Sequence, residues 1–235
     1  MTGPAAQVEV PVLDAWDETR ALHAVRLALP PTLARQHRRP GQIVKVGTDE
    51  GEAFYALASA PARSGEADLL VKRGGPVGDR VIADAASARR LRVTAPFGRG
   101  FPVEEAEGGD VLLFAAGAGI APIRAVVQHL AAHRDRFAHA VLFYGQRHGS
   151  EFAYARERDA WERDGVKVVL CPSGEDDAWT GVRGRVQEVA RTVGFGGARP
   201  AEAVAFAAGM TAMVDDVRRT LAAAGVPPAR VHANF

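Results

Sequence analysis

One stretch constrains this chain more than any other: Asp110 to Leu130, DVLLFAAGAGIAPIRAVVQHL. It opens with an apolar run, Val111 to Ala115, short enough for a buried strand. A tight glycine turn follows, Gly117-Ala118-Gly119. Apolar residues then recur at Ile120, Ile123, Val127 and Leu130, the spacing of one helix face. Strand, glycine turn and helix in that order bring unpaired backbone N–H groups and the positive helix end to one place. Glycines let a ligand's phosphates approach the backbone, and the helix dipole favours their charge. The same pattern also serves as a plain strand-to-helix turn, so the rest of the chain has to decide its meaning.

Downstream, the alternation continues. Strand-like Ala140–Tyr144, Lys167–Leu170 and Ala203–Ala207 are separated by helical patterns at Phe152–Asp164 and about Arg185–Val193, and Thr211–Ala224 follows as a last helix. The first helix is read over Pro122–His133. Alternating strands and helices imply a parallel sheet covered on both faces, with ligands beyond the carboxyl ends of its strands. Upstream, the pattern differs. Val8–Val12, Thr19–Leu29, Gln42–Val46, Ala53–Ser59, Asp68–Lys72 and Arg90–Thr94 are six strand-like segments punctuated by Gly and Pro. They predict a small antiparallel barrel, interrupted by one helix near Asp79–Ala86. Pro96-Phe97-Gly98 closes it, and Glu104–Gly109 reads as a linker. The expected domains are residues 1–106 and 107–235.

Composition narrows the class. A net charge of +1 gives no electrostatic footprint for nucleic acid. No apolar run approaches the roughly 20 residues that span a bilayer, and the N-terminus lacks a secretory pattern. The expected compartment is therefore the cytoplasm. The single cysteine, Cys171, excludes an internal disulfide or four-cysteine cluster within the chain and reads as structural. The seven histidines show no metal spacing: His133 and His139 stand six apart and His148 is isolated. No metal site is expected. Arg35, His37, Arg38 and Arg39 form a basic patch, either a solvated loop or a dock for an acidic electron carrier.

Several local stretches, in this order, resemble the ferredoxin–NADP reductase superfamily along nearly the whole chain. Pro40-Gly41-Gln42-Ile43-Val44 is similar to its Pro-Gly-Gln-Phe-Val segment. Tyr55-Ala56-Leu57-Ala58-Ser59 falls on its Arg-x-Tyr-Ser-(Ile/Leu)-Ala-Ser flavin motif. Val71-Lys72-Arg73 with Gly74-Gly75 resembles the strand and loop over the flavin pyrophosphate, and Pro96-Phe97-Gly98 the barrel's closing turn. Gly117-Ala118-Gly119-Ile120-Ala121-Pro122 resembles Gly-Thr-Gly-Ile-Ala-Pro, the pyridine-dinucleotide loop. Gly209, Met213 and Val214 fit a late Cys-Gly-Pro-x-x-Met-Val motif, and Asn234-Phe235 falls near the family's aromatic end.

The resemblance implies a six-stranded flavin-binding β-barrel followed by a Rossmann-like α/β domain. The implied activity is hydride transfer from NAD(P)H to FAD, with electrons passed to a separate protein or small-molecule acceptor. Phe235 would cover the flavin face, or else is an ordinary terminal aromatic. Departures from the motifs are specific. The flavin motif's arginine is Ala53 and its serine is Ala56. The residue opening the phosphate-binding helix is Gly78. The late cysteine is Ala208, with Met210 in place of proline.

Two readings follow. Either flavin is kept through backbone groups, Tyr55 and the helix near Asp79, with Lys72 or Arg73 replacing the lost charge, or flavin is lost and the fold serves as a regulatory or docking subunit. FAD over FMN rests on the family alone. For the coenzyme, Ser173 is followed by Gly174 and three carboxylates, which favours NADH. Arg147 keeps NADPH open.

Overall fold

The computed structural model describes residues 6–87, 89–175 and 177–234. In chain order they form β1 (Gln7–Asp17), β2 (Leu22–Ala28), α1 (Pro31–Ala34), β3 (Ile43–Thr48), β4 (Gly51–Ala56), β5 (Glu66–Lys72), α2 (Pro76–Ser87) and β6 (Arg90–Thr94). Then come β7 (Val111–Ala116), α3 (Ile120–Ala132), β8 (Ala140–Gln146), α4 (Arg158–Arg163), β9 (Val166–Pro172), α5 (Val186–Val193), β10 (Val204–Ala208), α6 (Thr211–Ala223) and β11 (Val231–Ala233).

The first six strands make an antiparallel sheet in the order β4-β3-β6-β1-β2-β5. A bridge between Leu57 and Leu69 brings its two edges together, so the sheet curls into a half-barrel. β1 enables the curl by changing partner along its length. Gln7–Pro11 pairs with β6 and Val12–Asp17 with β2, with a register shift between Val12 and Asp14. Such an irregularity bends a strand and raises its twist. Val10, Val12, Val25, Val44, Val46, Leu69 and Val93 fill the interior, and α2 closes one end with Val81, Ile82 and Ala85.

The last five strands are all parallel, in the order β11-β10-β7-β8-β9. β7 is central and buried from Val111 to Ala115. Leu112 and Phe114 pack under α5 and α6, while Val111, Leu113 and Ala115 pack under α3. This two-faced burial is why its sequence is continuously apolar rather than alternating. The chain leaves β7 toward β8 on one side and returns with β10 on the other, which opens a crevice at their carboxyl ends.

Some segments differ from the sequence-based expectation. The helix expected over Phe152–Asp164 is confined to Arg158–Arg163. Phe152, Ala153 and Tyr154 are buried but not helical, and Tyr154 takes φ +59°, outside the helical region. Its N–H donates to Glu18 at 2.7 Å and that of Ala153 to the Tyr144 hydroxyl at 3.2 Å. β2 begins at Leu22 because the Thr19 hydroxyl accepts the N–H groups of Ala21 and Leu22 and makes a turn there. The expected linker contains a one-turn helix, Val103–Ala106, anchored by buried Val103 and Ala106. Neither α1 nor β11 is visible as a pattern, being four and three residues long.

The two sheets share an apolar cluster containing Leu22, Ala24, Ala58 and Leu70 from the half-barrel and Ile120, Ile123 and Val127 from α3. Within it lies Arg124, almost wholly buried. It donates to the Ala58 carbonyl at 2.7 Å, to Asp68 at 3.0 Å and to both oxygens of Glu157 at 2.8 and 2.7 Å. Its guanidinium also stands 4.6 Å from the Tyr154 ring centre. Removing one partner of such a buried ion cluster leaves charge uncompensated. Arg124→Met is expected to destabilise the protein by about 3–5 kcal/mol in urea unfolding. A loss under about 1 kcal/mol, the range of a solvated pair, would refute this assignment.

Candidate functional site

A cleft of about 1090 Å³ runs between the half-barrel and the parallel sheet. Its floor is the crevice at β7 and β10. Ala116 ends β7, and the single 3-10 turn Gly117–Gly119 leads directly into α3. Gly117 has φ +58°, a conformation that costs a Cβ-bearing residue energy. Gly119 is needed for a different reason: a Cβ there would stand 2.3 Å from the Ala208 carbonyl oxygen. The loop thus lies against the end of β10, and no acidic residue occupies the first turn of α3. Backbone N–H groups at this helix end are free of a competing carboxylate, as an anion site requires.

Along the cleft, Ala121, Pro122, Gly145, Gln146, Arg147, Ser173, Gly174 and Arg185 extend the parallel-sheet side. Opposite stand Phe54, Tyr55, Ala56, Leu70 and Lys72 from β4 and β5, with Ala208, Gly209, Met210 and Asn234 at the near end. Tyr55 is half-buried, and burial pushes its hydroxyl pKa up. Asn234 is fixed there by its side-chain amide, which donates to the Gly41 carbonyl at 2.9 Å, and by its N–H, which donates to Ala207 at 3.1 Å.

The structure gathers part of the sequence-predicted set in this cleft: Tyr55, Ala56, Lys72, Gly117, Ala118, Gly119, Ala121, Pro122, Arg147, Ser173, Ala208, Gly209 and Met210. The others stand elsewhere. Ile120 is buried behind the loop, and Leu57, Ala58 and Val71 are buried in the half-barrel or beneath it. The Ser59 hydroxyl accepts the Asp68 N–H at 3.0 Å. Arg73 is turned to Asp17, with which it forms an ion pair, and to His23 at 3.3 Å. Gly74 and Gly75 face open space, but the Gly74 N–H donates to the Asp79 carboxylate at 3.0 Å. A Cβ on Gly78 would lie 2.5 Å from the Lys72 carbonyl oxygen. Phe235 lies outside the described residues.

Arg185 was not singled out from sequence. It comes from the start of α5, 38 positions after Arg147, and the folded chain sets both beside Ser173. Neither side chain has an ion-pair partner among the described residues. Phe54 is likewise unmarked by any sequence period, and Asn234 is marked only through the resemblance of the chain's end.

Other reactive or charged groups have structural roles. Cys171 is buried, its thiol pushed up to about 12 by burial, and it donates to the Val169 carbonyl at 3.5 Å. No group of three metal-binding side chains exists among the described residues, and none of their helices is long and apolar enough to cross a membrane. The basic patch is largely committed: Arg39 pairs with Glu104, Arg38 donates to the Arg35 carbonyl at 3.4 Å, and His37 is buried. For Asp110, burial favours the neutral acid, but donors from Arg199 and His139 outweigh it and hold its pKa below the ordinary value.

The fold is ferredoxin–NADP reductase-like: a curled antiparallel sheet ahead of a parallel sheet. Residues 113–219 match the model of the oxidoreductase NAD-binding domain. Among relatives, the chain is 31% identical over 192 residues to the sulfhydrogenase 1 subunit gamma of Pyrococcus furiosus, covering 79% of this chain and 65% of that one. It is 32% identical over 129 residues to the electron transfer subunit of dihydroorotate dehydrogenase B (NAD(+)) of Bacillus cereus, covering 52% of this chain and 49% of that one. The matches therefore span half to just under two thirds of these relatives' length.

Among solved structures, a ferredoxin NADP+ reductase from Neisseria gonorrhoeae with bound FAD and NADP aligns with a TM-score of 0.79 at 19% identity, over 99% of this chain and 100% of that one. An Amycolatopsis cytochrome P450 reductase aligns with a TM-score of 0.81 at 23% identity, over 100% of this chain and 71% of that one.

His37 gives the structure a pH signature. Burial lowers its pKa to about 4, against 6.5 in a solvated chain, and its Nε2 lacks a partner among the described residues. Between those values the unfolded chain takes up a proton that the folded one refuses. Stability must therefore fall as pH drops from 6.5 to 4, by up to about 3 kcal/mol. His37→Gln should flatten that window of the urea stability profile while leaving the carboxylate losses below pH 4; an unchanged slope would refute it.

Proposed function

We propose that this chain is an NAD(P)H-dependent electron-transfer oxidoreductase that passes reducing equivalents from a dihydronicotinamide, through a flavin, to a separate acceptor. One observation carries the reading: a single cleft sets the Gly117–Pro122 loop and the Ala208–Met210 turn opposite Tyr55 and Ala56. In this reading residues 1–106 hold the flavin and residues 107–235 the dinucleotide.

The dinucleotide's pyrophosphate lies on the N–H groups that open α3. Its nicotinamide reaches the near end, where Ala208 and Gly209 leave space that larger side chains would fill. A flavin ring fits the opposite wall, which is apolar and lined by Tyr55, Ala56 and Leu70. When bound, the flavin supplies two-electron acceptance and release of electrons singly or in pairs. The chain's own contribution is placement and exclusion of water, since among the described residues no carboxylate, amine, imidazole or thiol side chain stands with Tyr55, Ala56, Ala208 and Met210 at the near end. The Ala56 and Ala208 positions donate no side-chain hydrogen bond to either ring. The exposed pair Phe54 and Met210 forms an apolar rim at this end, suited to a protein acceptor. Similarity to subunits named for sulfhydrogenase and electron transfer supports an acceptor in a partner protein.

The test is reduction of added flavin by NADH with the purified chain, followed by bleaching of the flavin's visible absorption. Gly119→Ala drives a Cβ into the Ala208 carbonyl and so displaces the loop. Dinucleotide affinity is expected to drop at least ~10-fold with an unchanged circular dichroism spectrum, given how steeply function depends on ~1 Å displacements. Unaltered affinity would remove the dinucleotide from this loop.

For the coenzyme, Glu175 and Asp177 after Ser173 favour NADH, whereas Arg147 and Arg185, without ion-pair partners among the described residues, offer two cations to a 2′-phosphate. In this reading both coenzymes bind. Arg185→Ala should then weaken NADPH roughly 10-fold, the loss of one charged hydrogen bond, and leave NADH within about two-fold. Equal losses for both, or no NADPH binding at all, would contradict the assignment.

A further inference from the structure

We propose that the half-barrel holds a flavin by its ring alone, so that riboflavin, FMN and FAD bind with similar affinity and exchange with solution. This rests on the flavin reading above and concerns the one place beside the ring wall where a phosphate has a physical reason to sit. That place is the start of α2, a 12-residue helix whose first turn packs beside β4. A Cβ on Gly51 would stand 3.5 Å from Val77 Cγ2. The loop before it is open, since Gly74 and Gly75 have nothing within 4 Å of an added Cβ. Space for an anion exists, but the groups at this helix start that would bind one are missing or committed.

Four observations agree. Ala53 is two positions before Tyr55 on β4, hence on the same face of the strand, and carries no charge. Arg73, the cation nearest in sequence to the loop, is paired with Asp17 and contacts His23. Arg80, on α2 itself, is paired with Asp84 at 2.9 Å and Asp49 at 3.6 Å. Asp79, in the first turn, accepts the Gly74 N–H at 3.0 Å, so a carboxylate already holds a donor that a phosphate would need. Pro76 supplies no N–H, and Gly78 sits so tightly on the Lys72 carbonyl that no hydroxyl side chain can replace it without movement.

Lys72 does not restore the site. It shares a face of β5 with Leu70, which packs in the cluster joining the two sheets, and β5 touches the Gly117–Gly119 turn. Lys72 lines the cleft with Tyr55 and Leu70, whereas no residue of α2 lines that cleft, so its charge is not placed at the helix start. A flavin phosphate at α2 would meet an uncompensated carboxylate and one fewer N–H, which cancels the usual advantage of a helix start. What remains for a flavin is the apolar wall, which reads the ring and is blind to what the ribityl chain carries.

The full chain, freed of flavin by dialysis, is titrated with riboflavin, FMN and FAD at low salt, read by quenching of flavin fluorescence. The expected result is three dissociation constants within about three-fold of one another. FMN or FAD binding tenfold or more above riboflavin overturns the inference and leaves the functional reading standing. Failure of all three to bind overturns both. A second variant tests the cause: Ala53→Arg with Asp79→Asn supplies a cation and removes the competing carboxylate. It is expected to tighten FMN and FAD at least tenfold and leave riboflavin unchanged. If a folded double variant shows no such gain, the phosphate does not lie at this helix end and the inference falls.

Discussion

Everything in the cleft depends on where Arg124 puts its charge. The guanidinium lies one helical turn beyond the glycine loop, on α3, and is fastened to Ala58 and Asp68 of the half-barrel and to Glu157 of the parallel-sheet side. Burial opposes its charge, but Glu157, the Tyr154 ring and Asp68 hold its proton more firmly than in water. Asp68 is further engaged by Arg26 at 2.8 Å. A buried ion cluster of this kind contributes little net stability against an apolar substitute of the same shape; its value is that only one arrangement satisfies all of its members. Here that arrangement fixes α3, hence the Gly117–Gly119 turn, against β5. Glu18, which accepts from both Trp16 and the Tyr154 N–H, and Gln128, which accepts the Ala60 N–H, add polar ties across the same boundary.

With the sheets held in register, the cleft is shaped by what its walls lack. Gly119 abuts the Ala208 carbonyl, Gly145 abuts Val186, and Gly209 abuts the end of Met213. Each contact is closer than a Cβ would tolerate. Small residues elsewhere in the lining, Ala56, Ala116, Ala118 and Ala208, leave backbone rather than side chains to meet a ligand. Such a site positions cofactors and leaves the chemistry to them. That agrees with the lack of a reactive acid, base or thiolate at its near end; burial keeps even Cys171 protonated.

How far this could be read from sequence varied with the range of the interaction. The glycine loop and the parallel sheet were legible because strand, turn and helix are contiguous and their apolar periods differ. The half-barrel's six strands were legible for the same reason. Phe152–Tyr154 looks helical in an apolar count, whereas Glu18, 136 positions away, accepts the Tyr154 N–H and holds the segment out of the helix. Arg73 seemed free because its partners, Asp17 and His23, come from β1 and β2. His37 looked like a member of a charged patch, yet it is buried while its arginine neighbours are not. Arg185 became a site residue only once β9 and α5 were placed beside β8. In each case the deciding contact was long-range, and no local pattern encodes it.

Charge distribution along the cleft then gives the site a direction. Arg147 and Arg185 stand at one end and Lys72 midway, while the near end offers Tyr55, Ala56, Met210 and Phe54. A dinucleotide carries its charge on phosphates and its reactive ring on an uncharged nicotinamide edge. In the proposed reading, cations at the far end and the helix start of α3 draw its phosphates inward along the parallel sheet, and the ring is left for the apolar end. The same asymmetry explains why the start of α2 can forgo a phosphate site. With Asp79 capping Gly74 and Arg80 and Arg73 neutralised by carboxylates, that helix start does not compete for the dinucleotide's pyrophosphate. Of these two helix starts, only that of α3 lines the cleft, and it has no carboxylate in its first turn.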